Sequence, residues 1–297
     1  MPYFSICIPA YKQVDFFRRS LDSIAIQQFS DFEVVVTDDS PDQTLKSICA
    51  EYENRFKINY FHNEKQLGSP ENWNEAIRKA NGDWIKILHH DDWFSDSNSL
   101  TEFYNLTLQN PKADFHFCAT RIVNQGTAPE MGSPNHLINA PIDEQLHSLA
   151  KDPFQLFYWN FIGPPSSTLF RRKLNMYFDQ SVYYVVDIDF YIRQLKLNPE
   201  FSYSPKPLIN NTANHPEQVT AQSMRPETQL GEYIYLYSKF KRGSFPEKRA
   251  LRFFYSLFLK YGIRSESDLR TLSLQLPNPK WIFKLLLFYL RVKHKKF

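Results

Sequence analysis

The sequence predicts an α/β fold, with a mostly parallel central sheet, flanking helices and a helical extension at the C-terminus. Over the first 120 residues, short apolar runs typical of buried strands alternate with segments of helical periodicity. From about Glu227 onward the apolar positions keep helical spacing alone. A chain of 297 residues with 42% hydrophobic content can bury the core that such a fold needs.

Four strands and the helices between them are predicted in the first half. Each strand is an unbroken apolar or β-branched run, which favours a strand covered on both faces. The predicted strands are 3–9, 32–37, 57–62 and 83–89. Helices are predicted at 15–29, after the turn 38–44, and at 69–82, with Ser69 as N-cap, Pro70 at the first position and Gly82 as C-cap. This alternation indicates βαβ units and a parallel sheet.

The second half is less regular, and its elements are predicted one by one. Residues 113–123 are interpreted as a strand pair or one long bent strand, and 124–150 as a long loop. Residues 152–173 indicate helix, turn and strand, and 186–197 indicate a helix.

Composition and charge exclude several classes of protein. The three cysteines include no CxxC pair, so neither a zinc nor a disulfide framework is expected. The N-terminal "MPYFSICIPAY" is not expected to be a signal peptide, and no window reaches the ~20 apolar residues that cross a bilayer. The net charge of +3 comes from the tail 280–297, which is rich in Lys and Arg and has no acid. Because these cations lie in an apolar-rich tail, nucleic-acid binding is not expected.

Polar clusters follow three of the predicted strands. Pro9–Tyr11 follows the first, Asp38–Asp39 the second and His89–Asp92 ("HHDD") the fourth. In open α/β sheets ligands bind beyond the carboxyl ends of the strands, so these groups are expected to converge. Adjacent carboxylates suit Mg²⁺ or Mn²⁺, which prefer oxygen ligands and share them with phosphates. From the residues alone, a solvated turn with an N-cap fits equally well.

Two further features in the second half have alternative explanations. Asp187 and Asp189 lie in the first turn of the helix 186–197, where acids favour the helix dipole. One of them is alternatively a general base directed at the cleft. His215 is either a structural histidine or a metal ligand.

Four stretches in this order resemble the family-2 glycosyltransferases with a GT-A fold. They are "SICIPAYKQVDFFRRSLDSIAIQ", "FEVVVTDDSPDQT", "NWNEAIRKANGDWIKILHHDDWF" and "DIDFYIRQL". The likeness covers roughly residues 3–220 and is strongest through 3–94. It implies a nucleotide-sugar-binding half (1–115), an acceptor-binding half with the catalytic base (116–225) and C-terminal helices with a basic amphipathic tail (226–297).

The resemblance also implies a role for each matching residue. Pro9, Ala10 and Tyr11 would line the nucleotide pocket, and Asp38 and Asp39 would contact the base and ribose. Asp91 would contact the donor diphosphate and, with Asp92 and His215, hold Mn²⁺ or Mg²⁺. Asp187 would deprotonate the acceptor hydroxyl in an inverting transfer from a nucleotide diphosphate sugar, a UDP-sugar in particular.

The sequence departs from the family pattern at three positions. His89 stands where the first acid of the metal motif is usual, Val186 replaces the glutamate before the base, and "DDSP" lacks the usual glycine. Two other functions therefore stay open. One is a sugar-nucleotide nucleotidyltransferase, although "PAYKQVD" lacks the glycine-rich loop of that class. The other is a sugar- or lipid-binding protein that has lost catalysis.

The tail 280–297 resembles an interfacial membrane anchor. It alternates large apolar residues with cations, a pattern that favours lying on an anionic leaflet. We therefore expect a cytoplasmic protein at the inner face of the membrane, with a saccharide acceptor on a polyprenyl diphosphate lipid, as in bacterial surface-polysaccharide synthesis. The other interpretation is a C-terminal helix packed on the body or on a partner.

Overall fold

The computed structural model describes residues 1–124, 137–173, 176–213, 225–240 and 247–293. The strands are β1 (Phe4–Ala10), β2 (Phe32–Asp38), β3 (Ile58–His62), β4 (Trp84–Ile87), β5 (Trp93–Phe94), β6 (Phe115–Asn124), β7 (Leu137–Asn139), β8 (Thr168–Arg171) and β9 (Phe201–Ala213). The helices are α1 (Val14–Ala25), α2 (Thr44–Ala50), α3 (Glu71–Lys79), α4 (Ser99–Gln109), α5 (Asp143–Lys151), α6 (Val186–Leu197), α7 (Pro226–Lys239), α8 (Lys248–Lys260), α9 (Glu266–Thr271) and α10 (Lys280–Lys293). Short 3₁₀ helices span Pro153–Phe157 and Pro165–Ser167.

All nine strands belong to one sheet, in the order β3-β2-β1-β4-β8-β6-β9-β5, with β7 paired to β6. The four strands predicted in the first half are parallel to one another, as expected from the βαβ pattern. The second half adds antiparallel pairings of β4 with β8, β6 with β8 and β5 with β9. It also adds the parallel pairing of β6 with β9, from Phe115 opposite Phe201 to Asn124 opposite Ala213. The whole sheet is therefore mixed, and only its first four strands are parallel throughout.

The register brings the carboxyl ends of the parallel strands to one edge. Ala10 pairs with Asp38, Asp38 pairs with His62, and Cys7 pairs with Ile87. Backbone hydrogen bonds continue the alignment beyond the strands, from Asp39 N to Ala10 O (3.0 Å). The convergence of the polar clusters predicted from the sequence follows directly from this register.

Helix α3 differs from its predicted bounds of 69–82. It begins at Glu71 with Pro70 as N-cap and ends at Lys79, with Ala80 as C-cap. Gly82 is needed for close packing instead, because a Cβ there would lie 2.6 Å from the backbone C of Phe4. The glycine therefore marks the approach of the chain to β1 and not the end of the helix.

Residues 137–151, predicted as part of a long loop, form β7 and α5. Helix α5 buries only Leu149, so its sequence shows little of the apolar periodicity by which a helix is recognised. The alternative left open for 113–123 is settled in favour of one strand, β6, which runs over ten residues.

The chain forms two compact units, one of residues Met1–Gln180 and Val186–His215 and the other of Ser181–Val185 and Pro216–Phe297. The second contains α7–α10, as the helical pattern from about Glu227 predicted. Within it α10 buries Phe283, Leu287 and Leu290. Among the described residues, no helix combines the length and apolar character needed to cross a membrane.

Candidate active site

Three potential metal ligands meet in the turn between β4 and β5. Ligand atoms of His89, Asp91 and Asp92 all lie within 4.8 Å of one another. The turn is closed by a hydrogen bond from Asp92 N to His89 O (2.9 Å). On its far side Trp93 pairs with Asn210 of β9, so both ends of the turn are fixed by the sheet.

The carboxylate of Asp92 is buried, with 4% of the residue exposed. Burial, followed by the charge of Asp91, raises its pKa to about 7, and hydrogen bonds from Ser166, Asn211 and Thr212 oppose that rise. The protein itself therefore does not fully compensate the negative charge at this point. A bound cation would, and the predicted placement of Asp91 and Asp92 in one cluster fits the structure.

His89 packs inside the same cluster. Its ring centroid lies 4.6 Å from that of Trp73, and its backbone N donates to Ser166 Oγ at 3.0 Å. Burial lowers the pKa of its imidazole to about 4, so the ring is neutral at physiological pH and its nitrogen lone pair is available. With two carboxylates and one imidazole, the set of donors suits a divalent ion such as Mn²⁺.

Arg19 of α1 packs against the turn between β4 and β5, residues 88–92, which is called the acidic turn below. Its Nη2 donates to Asp91 O (3.0 Å) and to Thr212 Oγ1 (2.8 Å), and Thr212 Oγ1 in turn donates to Asp91 O. The guanidinium lies over the Trp93 ring, 3.6 Å from its centroid. Burial lowers the pKa of Arg19, against the opposing charges of Asp91 and Asp92. The turn is thus tied to both α1 and β9.

Asp38 and Asp39, predicted to contact the nucleotide, are both engaged by protein donors. The fully buried Asp38 accepts hydrogen bonds from Ser40 N (2.8 Å) and Tyr60 Oη (2.7 Å). Asp39 accepts three, namely from Asn63 Nδ2 (2.7 Å), Leu67 N (3.0 Å) and Gly68 N (2.8 Å). These bonds fix the chain from 63 to 68 beside the sheet edge. A direct contact of either carboxylate with a nucleotide stays a prediction.

The end of β1 brings Pro9, Ala10 and Tyr11 to the same edge. The chain then turns sharply, because Lys12 (φ 54°) and Gln13 (φ 51°) both adopt left-handed backbone conformations. Two consecutive non-glycine residues of this kind are uncommon. The turn is held by Lys12 N, which donates to Ser40 Oγ at 2.7 Å and so links the ends of β1 and β2.

The two acids at the start of α6 have different environments. Asp189 is fully buried and pairs with Arg193 Nε at 2.8 Å, which indicates a structural role. Asp187 is only partly buried, and its Oδ2 accepts a hydrogen bond from Asn160 Nδ2 at 2.6 Å. Its Oδ1 accepts from the N–H of Ile188 (2.8 Å). Of the two acids, Asp187 alone keeps access to solvent, as the predicted base requires.

One short segment, residues 160–167, touches both the acidic turn and Asp187. At its start Asn160 donates a hydrogen bond to Asp187. Near its end the Ser166 side chain forms hydrogen bonds with the backbone N of His89 and with the Asp92 carboxylate. Asn160 also closes a tight loop with Gly163, whose φ of 96° is accessible to glycine at little cost. The segment thereby connects the two sets of candidate residues.

Several site residues were not singled out from the sequence. They are Arg19, Trp73, Asn160 and Ser166, whose partners in the site lie 16 to 193 positions away along the chain. No local motif marks residues that act through such distant contacts. His215, the predicted third metal ligand, lies outside the described residues.

Comparison with known proteins agrees with this architecture. The family model described as glycosyl transferase family 2 matches residues 5–178. An uncharacterized protein of Mycobacterium tuberculosis is 28% identical over 207 residues, which cover 65% of this chain and 61% of that protein. The GalNAc(5)-diNAcBac-PP-undecaprenol beta-1,3-glucosyltransferase of Campylobacter jejuni is 29% identical over 94 residues, covering 31% of this chain and 30% of that enzyme.

Solved structures extend the likeness to almost the whole chain. S. aureus TarS 1–349 in complex with UDP-GlcNAc covers 95% of this chain, and the chain covers 79% of it, with a TM-score of 0.63 and 21% identity. Mannosyltransferase PcManGT from Pyrobaculum calidifontis, in complex with GDP-Man and Mn²⁺, gives 100% and 88% coverage, a TM-score of 0.61 and 16% identity. These likenesses confirm the predicted fold class.

Proposed function

The chain belongs to glycosyl transferase family 2, and from this premise we propose that it transfers a hexosyl or N-acetylhexosaminyl group from a UDP-sugar to a saccharide hydroxyl with inversion. The observation that carries the proposal is the 160–167 segment. It joins a partly exposed carboxylate, Asp187, to a partly buried cluster of potential metal-binding side chains. Transfer from a nucleotide sugar needs these two sites side by side, one for the acceptor proton and one for the diphosphate.

Donor binding is assigned to the edge where the parallel strands end. The residues proposed to contact the nucleotide are Pro9, Ala10, Tyr11, Asp38, Asp39 and Asp91. Asp91, Asp92 and His215 are proposed to hold Mn²⁺ or Mg²⁺, and the bound ion would neutralise charge on the departing diphosphate. The bonds that Asp39 accepts from the 63–68 chain support a rigid wall for the pocket.

Asp187 is proposed as the general base. The acceptor oxygen bonds to the anomeric carbon, the bond from that carbon to the diphosphate oxygen breaks on the opposite face, and the hydroxyl proton passes to Asp187. The hydrogen bond from Asn160 fixes the direction of the carboxylate, so little reorganisation is needed at the moment of transfer. A single base with in-line displacement gives inversion.

The variant Asp187→Asn tests this assignment. We expect kcat to fall by about 10²–10⁴-fold, the usual contribution of a positioned base, with UDP-sugar affinity nearly unchanged. Asp143→Asn is the matched control, since Asp143 is an exposed acid in the first turn of another helix, α5. Normal turnover by Asp187→Asn would show that the base is elsewhere. Binding of the donor without turnover by the wild type would favour a non-catalytic sugar-binding protein.

We also propose that the acceptor is a saccharide on a polyprenyl diphosphate lipid, at the inner face of the cytoplasmic membrane, in bacterial surface-polysaccharide synthesis. The name of the Campylobacter relative states that it acts on a PP-undecaprenol acceptor. Helix α10 provides a surface suited to such a location. Its residues Trp281 (55% exposed), Leu285 (59%), Phe288 (66%) and Val292 (56%) recur at intervals of four, three and four, on one exposed stripe.

This exposed stripe fits an anionic lipid surface. The cations of the tail are Lys280, Lys284, Arg291, Lys293, Lys295 and Lys296, and no acid occurs between 280 and 297. Apolar insertion combined with attraction to acidic headgroups is the mode of an interfacial helix. The opposite face is already covered, since Phe283, Leu287 and Leu290 are buried within the second unit.

Vesicle co-sedimentation tests the surface without disturbing that core. We expect the double variant Trp281→Ala/Phe288→Ala to bind phosphatidylglycerol vesicles at least about tenfold more weakly than the wild type. The matched control, Leu108→Ala/Leu197→Ala, alters leucines that are 55% and 60% exposed elsewhere. Equal binding by the wild type and the Trp281/Phe288 variant would refute the membrane assignment. Deletion of 280–297 is a poorer test because it also removes the buried face.

A further inference from the structure

The structure places His89 among the metal-binding side chains, where the sequence pattern led us to expect only Asp91, Asp92 and His215. We propose that His89 is a nitrogen ligand of the divalent ion, and that it makes the site select Mn²⁺ over Mg²⁺. The proposal rests on the proposed function for the purpose of the ion, which is to hold the donor diphosphate. The binding of the ion itself is independent of transfer.

The distances between the donor atoms are those of a site that needs little adjustment. His89 Nδ1 lies 3.9 Å from Asp92 Oδ2, which is too far for a hydrogen bond. Ligands about 2.1 Å from a shared ion lie roughly 3–3.4 Å apart, so a movement of about half an ångström would bring this pair to the spacing of two ligands. The atoms of all three side chains already lie within 4.8 Å of one another.

The imidazole of His89 makes no hydrogen bond with the described part of the chain. Its Nε2 is buried without a partner, and Nδ1 has no hydrogen-bonding neighbour there. The ring is nevertheless held firmly, against the face of Trp73 at 4.6 Å and by the bond from its backbone N to Ser166 Oγ. A buried ring nitrogen that finds no partner in the described part of the chain costs free energy, and coordination of an ion by the imidazole would offset part of that cost.

The selectivity follows from the chemistry of the donors. Mg²⁺ prefers oxygen ligands alone and demands near-ideal octahedral geometry, whereas Mn²⁺ binds more tightly to sites that include nitrogen. An aspartate at position 89 would give three carboxylates and a site suited to Mg²⁺. Histidine there lowers the negative charge by one and supplies nitrogen, so Mg²⁺ loses more affinity than Mn²⁺.

Packing against Trp73 is the competing explanation for His89, and a spectroscopic test separates the two. Three-pulse electron spin echo envelope modulation is recorded on the full chain in excess over Mn²⁺, with no nucleotide present. We expect modulation from ¹⁴N of a coordinated imidazole in the wild type. Because His215 is also a proposed ligand, the variants are made in a His215→Gln background, where the modulation should persist. It should vanish when His89→Gln is added, and it should persist when His90→Gln is added instead, since the His90 ring contacts Pro9 O, at 3.3 Å.

Calorimetric titration measures the selectivity. We expect the ratio of the Mg²⁺ to the Mn²⁺ dissociation constant to fall at least about tenfold in His89→Asp. Absence of ¹⁴N modulation from bound Mn²⁺ in the His215→Gln protein would overturn the proposal, and so would modulation that survives the further change His89→Gln. An unchanged ratio in His89→Asp would overturn the selectivity. Failure of sugar transfer with these metal data intact would count against the proposed function alone.

Discussion

Lys86 is a buried basic side chain in β4, and its titration makes the stability of the protein depend on pH. The residue is 0% exposed, and its Nζ donates to Ile87 O (3.0 Å) and Ser166 O. The ammonium also lies 4.8 Å from the centroid of the Phe103 ring. Burial lowers its pKa from 10.5 to about 7, against the opposing charges of Cys118 and Asp92. We propose Lys86→Met, which keeps the length of the side chain and removes the titrating group.

The free energy of unfolding depends on pH because the pKa of Lys86 differs between the folded and the unfolded protein. Between pH 7 and 10.5 the folded protein has largely lost the Lys86 proton, whereas the unfolded chain retains it. Unfolding then takes up a proton, so the free energy of unfolding rises by up to about 1.4 kcal/mol for each pH unit. Between pH 8 and 9.5 the contribution of Lys86 to the free energy of unfolding grows by about 2 kcal/mol. This stabilisation is lost as the pH falls through the pKa of the folded state, and none of it remains well below pH 7.

Urea unfolding of the wild type and Lys86→Met at several pH values between 8 and 9.5 measures this contribution. We expect the free-energy difference between the two proteins to shift in favour of the wild type by about 2 kcal/mol across the range. Lys112→Met, which alters an exposed lysine, should differ from the wild type by a constant amount. A constant difference for Lys86→Met as well would show that the buried amine keeps an ordinary pKa, and the reasoning would fail.

Two further predictions concern buried charge around the site. Asp189→Asn should lower the free energy of unfolding by about 3 kcal/mol, because it leaves Arg193 without its buried partner, whereas Asp187→Asn should cost less than about 1 kcal/mol. Thermal and urea unfolding of the two variants checks this contrast, and equal losses would contradict the division of roles. Arg19→Lys should cost about 1–3 kcal/mol, since lysine cannot both stack on the indole and bond to two acceptors. Arg18→Lys, at an exposed pair with Glu51, should cost under about 1 kcal/mol, and a loss as large as that of Arg19→Lys would refute the network.

The parallel half of the fold was predictable because local pattern and tertiary position agree there. Strands such as β2 are covered on both faces, so their sequence is continuously apolar and their ends are marked by Asp and Pro. The second half, where parallel and antiparallel pairings mix, follows no such rule. Strand β8 has four residues and pairs with both β4 and β6, which lie far from it in the sequence. Its position depends on contacts that no local pattern records.

The candidate site was predictable only in part, for a related reason. Carboxylates at strand ends are visible in the sequence, and the register of a parallel sheet brings them together. From the residues alone the choice between Asp187 and Asp189 was not visible, because both occupy the first turn of α6 and burial separates them. The resemblance to the family is what pointed to Asp187. The supporting contacts of Asn160 and Ser166 arise from the path of residues 160–167, which follow one short 3₁₀ helix and include another, and which carry no periodic signal.

The surroundings of the acidic turn explain why a cation fits there even though two basic side chains, Arg19 and Lys86, already lie nearby. Arg19 contacts the backbone oxygen of Asp91, and Lys86 bonds to carbonyl groups, so neither donates to a carboxylate of the turn. Both instead fix the main chain that carries the carboxylates. The pKa of Asp92 is accordingly raised to about 7 by burial and by Asp91. A rigid turn with uncompensated negative charge binds an added divalent ion more strongly than an ion-paired turn would, because no existing pair must first be broken.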